Sequence, residues 1–109
     1  MPEFIQVKYV PADPDLPEEL KEVPNDLSIF KVLVDGWIEI VKTPHMMQQM
    51  IVMVVNDNGL ALGKPINRRA IERSQYPGKI VGDVFFVGWN YHPDSDWHDY
   101  PESIDLTHS

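Results

Sequence analysis

A chain of 109 residues with no cysteine and a formal net charge of −8 has room for one domain with a modest core, and it excludes disulfide scaffolds, cysteine-ligated zinc and thiol catalysis. The surplus of carboxylates argues against general nucleic-acid binding, which needs clustered Lys and Arg. No apolar run approaches the roughly 18 residues of a membrane span, and Met1-Pro2-Glu3 opens without the basic and then apolar run of a leader, so the expectation is a soluble, cytoplasmic protein.

The first element is a strand. Phe4-Ile5-Gln6-Val7-Lys8-Tyr9-Val10 alternates well enough for one, and three prolines between Pro11 and Pro17 stop it. Glu18–Val23 fits a helical turn or a short strand, closed by Pro24. Asn25 or Asp26 then caps a helix from about Leu27 to Val34, which Asp35-Gly36 ends. Trp37–Lys42 reads as a second strand, ended by Thr43-Pro44-His45. Gln49–Val55 reads as a third, apolar enough to be buried on both faces; helix competes over Met46–Met53, and the β-branched run decides for strand. Asn58-Gly59 is a turn signal, Asn67 caps a second helix from Arg68 to about Ser74, and Tyr76-Pro77-Gly78 ends it. Ile80–Gly88 is a fourth strand with a kink at Gly82. From Tyr91 to Ser109 the chain turns acidic and aromatic and reads as an ordered loop or tail, with room for a short helix near Glu102. The fold class is α+β: one domain over 1–90, a small antiparallel or mixed sheet of about four strands, and two short helices on one side of it.

The connection between the last two strands draws the most attention. In an acidic chain it carries Lys64, Arg68 and Arg69 together with the Asn58-Gly59 turn. Three segments, in this order and spacing, carry a family likeness: Gly36-Trp37-Ile38-Glu39-Ile40-Val41, then Asn58-Gly59 with Gly63, Pro65, Asn67 and Arg68, then Ile80-Val81-Gly82-Asp83 and its apolar continuation. Over roughly residues 26–88 the chain resembles an uncharacterised domain family of phages and mobile elements, the domain of unknown function 3846. The resemblance implies a phage-type or plasmid-type accessory protein, in the host cytoplasm if phage-encoded, and brings no known activity. The Pro-rich insert and the tail from Tyr91 depart from the family pattern.

Cations in the first turn of a helix oppose its macrodipole, and free N–H groups there also call for an anion. This makes Lys64, Asn67, Arg68 and Arg69 a candidate phosphate pocket, with Trp37 as a stacking ring. The competing structural reading is that Asn67 only caps the helix and Arg68 pairs with Glu39 or Glu72. Trp97, Asp94, Asp96 and Asp99 form a candidate partner surface in the tail. The His and Asp residues there match no metal motif, and no cofactor is implied. Catalytic signatures are absent, and Glu39 and Asp83 stand as isolated carboxylates. The expectation is a non-catalytic accessory protein that counters host defence by sequestering a small phosphate-bearing, nucleotide-type ligand, enclosed by a homodimer. The alternative is an acidic inhibitor that occupies the basic groove of a host nuclease or defence complex as a nucleic-acid mimic.

Overall fold

A computed structural model describes residues 3–90 and 97–101. The elements run β1 (Phe4–Val10), β2 (Glu19–Pro24), α1 (Leu27–Val34), β3 (Ile38–Val41), α2 (Pro44–Gln48), β4 (Ile51–Asn56), α3 (Arg68–Ser74), β5 (Val84–Trp89) and β6 (Trp97–His98). One sheet holds the strands in the order β2-β1-β5-β4-β3, with β6 paired to the end of β5. Every pairing is antiparallel. The fold is α+β, with six strands and three helices among the described residues where about four and two were expected.

The side placement of the helices also differs from expectation. β4 is buried at every position. Its Ile51, Met53 and Val55 join a core with Val84, Phe86, Met46 of α2 and Ala70 of α3. Its Val52 and Val54 join a second core with Val7, Phe85, Val87 and Phe30 and Val34 of α1. Successive strand side chains point to opposite faces, so an apolar strand without alternation has two faces to cover. Helices therefore lie on both sides of the sheet, not on one.

Local chemistry sets the helix limits. Asp26 caps α1, its carboxylate accepting from Ser28 N at 2.9 Å. Asn67 caps α3, accepting from Ala70 N at 3.0 Å. The helix missed in the sequence, α2, starts at Thr43: its hydroxyl accepts from Met46 N at 3.2 Å and donates to Ser74 O at 2.6 Å, which ties α2 to the end of α3. Pro44 stands at its first turn, the position where a missing N–H costs least.

The fourth expected strand starts late. Val81 forms only an isolated bridge with Ile66, because Asn67 N donates to Ile80 O and Gly82 N to Pro65 O. Segment 80–82 thus pairs with the loop before α3, and β5 begins at Val84. Residues 97–101, expected in a tail, belong to the sheet and core. Tyr100 N donates to Gln6 O at 2.9 Å, and Trp97 packs edge-on against Trp89 with ring centroids 4.6 Å apart. The close seat of β6 depends on Gly88, where a Cβ would collide with His98 Nδ1 and Asp99 O. The region near Glu102 where a short helix was considered lies outside the described residues.

Candidate functional site

The basic segment singled out in the sequence does not form one pocket. Asn67 is fully buried and spent on structure: beyond its cap, Nδ2 donates to Val10 O at 2.9 Å and Gly82 O at 3.0 Å. Arg69 Nη2 donates to Pro11 O at 2.7 Å and Asp13 O at 3.0 Å. Arg73 forks onto Glu18, with Nη2 to Oε2 and Nε to Oε1 each at 2.6 Å. Arg69 and Arg73 thus clamp the Pro-rich loop between β1 and β2, and Asn67 ties the start of α3 to the end of β1. Lys64 turns elsewhere, to Asp35 Oδ2 at 2.9 Å. Its hydrogen bond and its charge, in that order, hold the Asp35 carboxyl below the usual range. Arg68 alone is exposed and has no hydrogen-bond or ion-pair partner among the described residues. It lines a groove of about 110 Å³ with Ala12, Pro14, Ile66 and Arg69. Trp37 is 62% exposed at the end of α1, with Lys31 Nζ 3.7 Å from its ring centroid.

The other sequence candidates also separate. Trp97 packs on Trp89 and Phe30, and Asp99 Oδ1 accepts from Gln6 N at 2.9 Å. Asp94 and Asp96 lie outside the described residues. Asp83 accepts from Tyr9 OH at 3.0 Å and Ala12 N at 2.9 Å. Burial first, then this carboxylate, pushes the Tyr9 phenol up to about 12.

The larger concavity, about 290 Å³, is lined by β3, the end strand of the sheet order, by the end of β4 and by residues 57–61 and 76–81. Its floor is apolar: Val41 from β3, Val55 from β4, and Ile80 and Val81 before β5. Five polar or aromatic side chains stand over that floor: Glu39, Asp57, Asn58, Tyr76 and Lys79. The turn that supplies Asp57 and Asn58 is shaped by buried Asn56. Its Nδ2 donates to Val34 O at 3.1 Å and Asp35 O at 2.8 Å, while Oδ1 accepts from Asn58 N at 2.7 Å. Gly59 lets the turn lie close on Val81, since a Cβ there would stand 2.7 Å from Val81 Cγ2. Among the described residues the side chains of Glu39, Asp57 and Lys79 are tied to no other protein group. The contrast with the basic segment is chemical: Lys64, Asn67 and Arg69 are committed to holding the fold, whereas the cleft presents a cation and two carboxylates without a partner among the described residues, beside an amide and the edge of a half-buried tyrosine that packs on the core.

In the sequence Glu39 stands out as an isolated carboxylate or a partner for Arg68, a pairing not found among the described residues, while Asp57, Asn58, Tyr76 and Lys79 were passed over as ligand groups. The available signal was the Asn58-Gly59 turn itself and an aromatic residue and a lysine flanking Pro77-Gly78. Among the described residues no group of three or more His, Asp or Glu side chains is arranged to hold a metal ion, and no helix is long and apolar enough to cross a membrane.

Together these features define a three-layer α+β domain with a lateral, mixed-polarity cleft beside an edge strand. The sequence profile of the domain of unknown function DUF3846 matches residues 7–106, and the chain belongs to that family. The match takes in the Pro-rich loop and the 97–101 segment as well as the motifs first noted. No curated protein matches the sequence. Among solved structures the fold is similar to part of the small RNA methyltransferase HEN1, with a TM-score of 0.64 at 15% identity over 91% of this chain. This chain spans only 15% of that one, and at such identity the likeness concerns the fold alone.

Proposed function

We propose that this domain is a non-catalytic binding module that captures a small phosphate-bearing, nucleotide-type ligand in the cleft beside β3. The observation that supports the reading is the convergence of Lys79, Glu39, Asp57, Asn58 and the Tyr76 ring on an apolar floor of Val41, Val55, Ile80 and Val81. An ammonium group suits a phosphate. Carboxylates and an amide suit the hydroxyl and amino donors of a sugar and a base, and a tyrosine ring suits a base face. A volume of about 290 Å³ stands at the small end of ligand pockets, roughly 300–1,000 Å³, and favours a single nucleotide over a dinucleotide. In a phage or mobile element, tight capture without turnover would withdraw a nucleotide signal from host defence.

The test is isothermal titration of the folded protein with nucleoside 5′-monophosphates, cyclic mononucleotides and ADP-ribose, followed by heat denaturation and recovery of the ligand. The expected result is saturable binding to at least one of them, with the ligand recovered intact. Lys79→Ala removes a charge-assisted hydrogen bond of about 1.5–3 kcal/mol and weakens binding roughly ten- to more than a hundredfold. Silence across the panel overturns the binding claim, and recovery of a cleaved ligand overturns the non-catalytic one.

A further inference from the structure

The charge balance of the cleft says more about its ligand than its size does. Glu39 and Asp57 stand against Lys79 as the only formally charged side chains among its described lining residues. Two carboxylates and one ammonium leave a negative excess. A site built to hold several phosphates has the opposite balance, because each added phosphate oxygen needs its own cation or N–H donor. Arg68, Arg69 and Lys64, which would have supplied that charge, lie on other surfaces or are engaged: Lys64 with Asp35 and Arg69 with the backbone of Pro11 and Asp13. The acceptors need donors instead. A carboxylate aimed at a sugar takes up vicinal hydroxyls, as the acidic residue of dinucleotide folds does with a ribose. Glu39 lies on β3 and Asp57 just past the end of β4, and Ile38 pairs with Asn56 and Glu39 with Val55, so the two carboxylates flank one short stretch of paired strand. Lys79 comes from the facing segment, 76–81, across the floor.

Building on the proposed nucleotide-type reading, we infer that the cleft selects a ribonucleoside monophosphate: one phosphate at Lys79 and the intact 2′,3′-diol between Glu39 and Asp57, with di- and triphosphates and 2′-deoxy forms discriminated against. Selectivity for the diol follows from two charge-assisted hydrogen bonds that the vicinal hydroxyls donate to these carboxylates and that a 2′-deoxy sugar cannot complete. Discrimination against longer phosphate chains follows from repulsion by the same two carboxylates.

Four ligands on the intact chain decide the matter, titrated in magnesium-free buffer: adenosine 5′-monophosphate, its 2′-deoxy counterpart, the triphosphate and unphosphorylated adenosine. The monophosphate is expected to bind tightest, with the 2′-deoxy form weaker by roughly ten- to a hundredfold. The triphosphate is expected to bind no better than the monophosphate at low salt. In Glu39→Gln and Asp57→Asn the ribo-over-deoxy ratio is expected to collapse toward one while the melting temperature stays within a few degrees, because both positions are exposed. Equal affinity for ribo and deoxy forms, or a triphosphate that binds tighter, overturns the inference while leaving the nucleotide reading in place. No binding by any of the four overturns the inference, and silence across the wider panel of nucleoside monophosphates, cyclic mononucleotides and ADP-ribose overturns the reading it builds on as well.

Discussion

Substituting Asn67 by Ala removes the cap of α3 and strands the carbonyls of Val10 and Gly82 inside the fold. Loss of a cap costs about 0.5–2 kcal/mol, and a buried unsatisfied group about 1–3 kcal/mol. Asn67→Ala is therefore expected to destabilise by about 2–4 kcal/mol, a fall in Tm on the order of 10–20 °C for a domain of this size. Arg68→Ala, one residue on, should leave Tm within a few degrees or raise it slightly, since this exposed side chain has no partner among the described residues and its charge opposes the helix dipole. A paired thermal melt checks both; a large loss for Arg68→Ala would mean that it holds the fold after all. Tyr9 gives a prediction with a sign in pH. Burial and then the Asp83 carboxylate push its folded phenol up to about 12, so its contribution is complete below pH 10 and is lost as pH rises from 10 toward 12. The stability of the native chain relative to Tyr9→Phe should shrink across that window, measured by denaturant melts at successive pH values. A difference that is constant from pH 8 to 12 would contradict the half-buried, Asp83-bonded setting of the phenol.

β6 offers the sharpest element-level test. Gly88→Ala places a methyl group against His98 and Asp99. The expected outcome is displacement of residues 97–99 from the end of β5, read as a loss of the near-ultraviolet circular dichroism of the Trp89–Trp97 pair, with the rest of the sheet kept. An unchanged spectrum would contradict the packing. The elements that sequence alone revealed share a feature: each has a local signal matching its final environment. β1 alternates, α1 and α3 carry side-chain caps at Asp26 and Asn67, and β4 is apolar throughout. Those that stayed hidden lack one. Five residues of α2 are too few to show a helical period, and β6 is two residues paired to Gly88 and Trp89 and followed by contacts of Asp99 and Tyr100 with Gln6, far away in sequence. The start of β5 was misplaced because Ile80 and Val81 are apolar for the floor of the cleft and for pairing with the loop before α3, not for the ladder of the sheet.

The site was less legible than the fold, for the same reason on a larger scale. The cleft draws on β3, the end of β4, the turn after it and the stretch before β5, so its groups converge only when β3 and β4 pair and residues 76–81 fold back on them. The basic run Lys64–Arg69 was visible because it is contiguous, yet tertiary structure disperses it: to Asp35 at the end of α1, to the Pro-rich loop, and to solvent. Net charge separates the remaining readings. An acidic mimic of nucleic acid would present carboxylates to a basic partner, and its association would weaken steeply with salt; a small cleft ligand with one phosphate at Lys79 should show only a shallow salt dependence. The most direct measurement is a titration of the isotope-labelled protein with a nucleoside monophosphate, followed by amide NMR. Capture in the cleft should give saturable shifts concentrated at residues 39–41, 55–61 and 76–81, abolished in Lys79→Ala. Shifts centred instead on Ala12, Pro14 neighbours and Arg68, or no shifts at millimolar ligand, would contradict it.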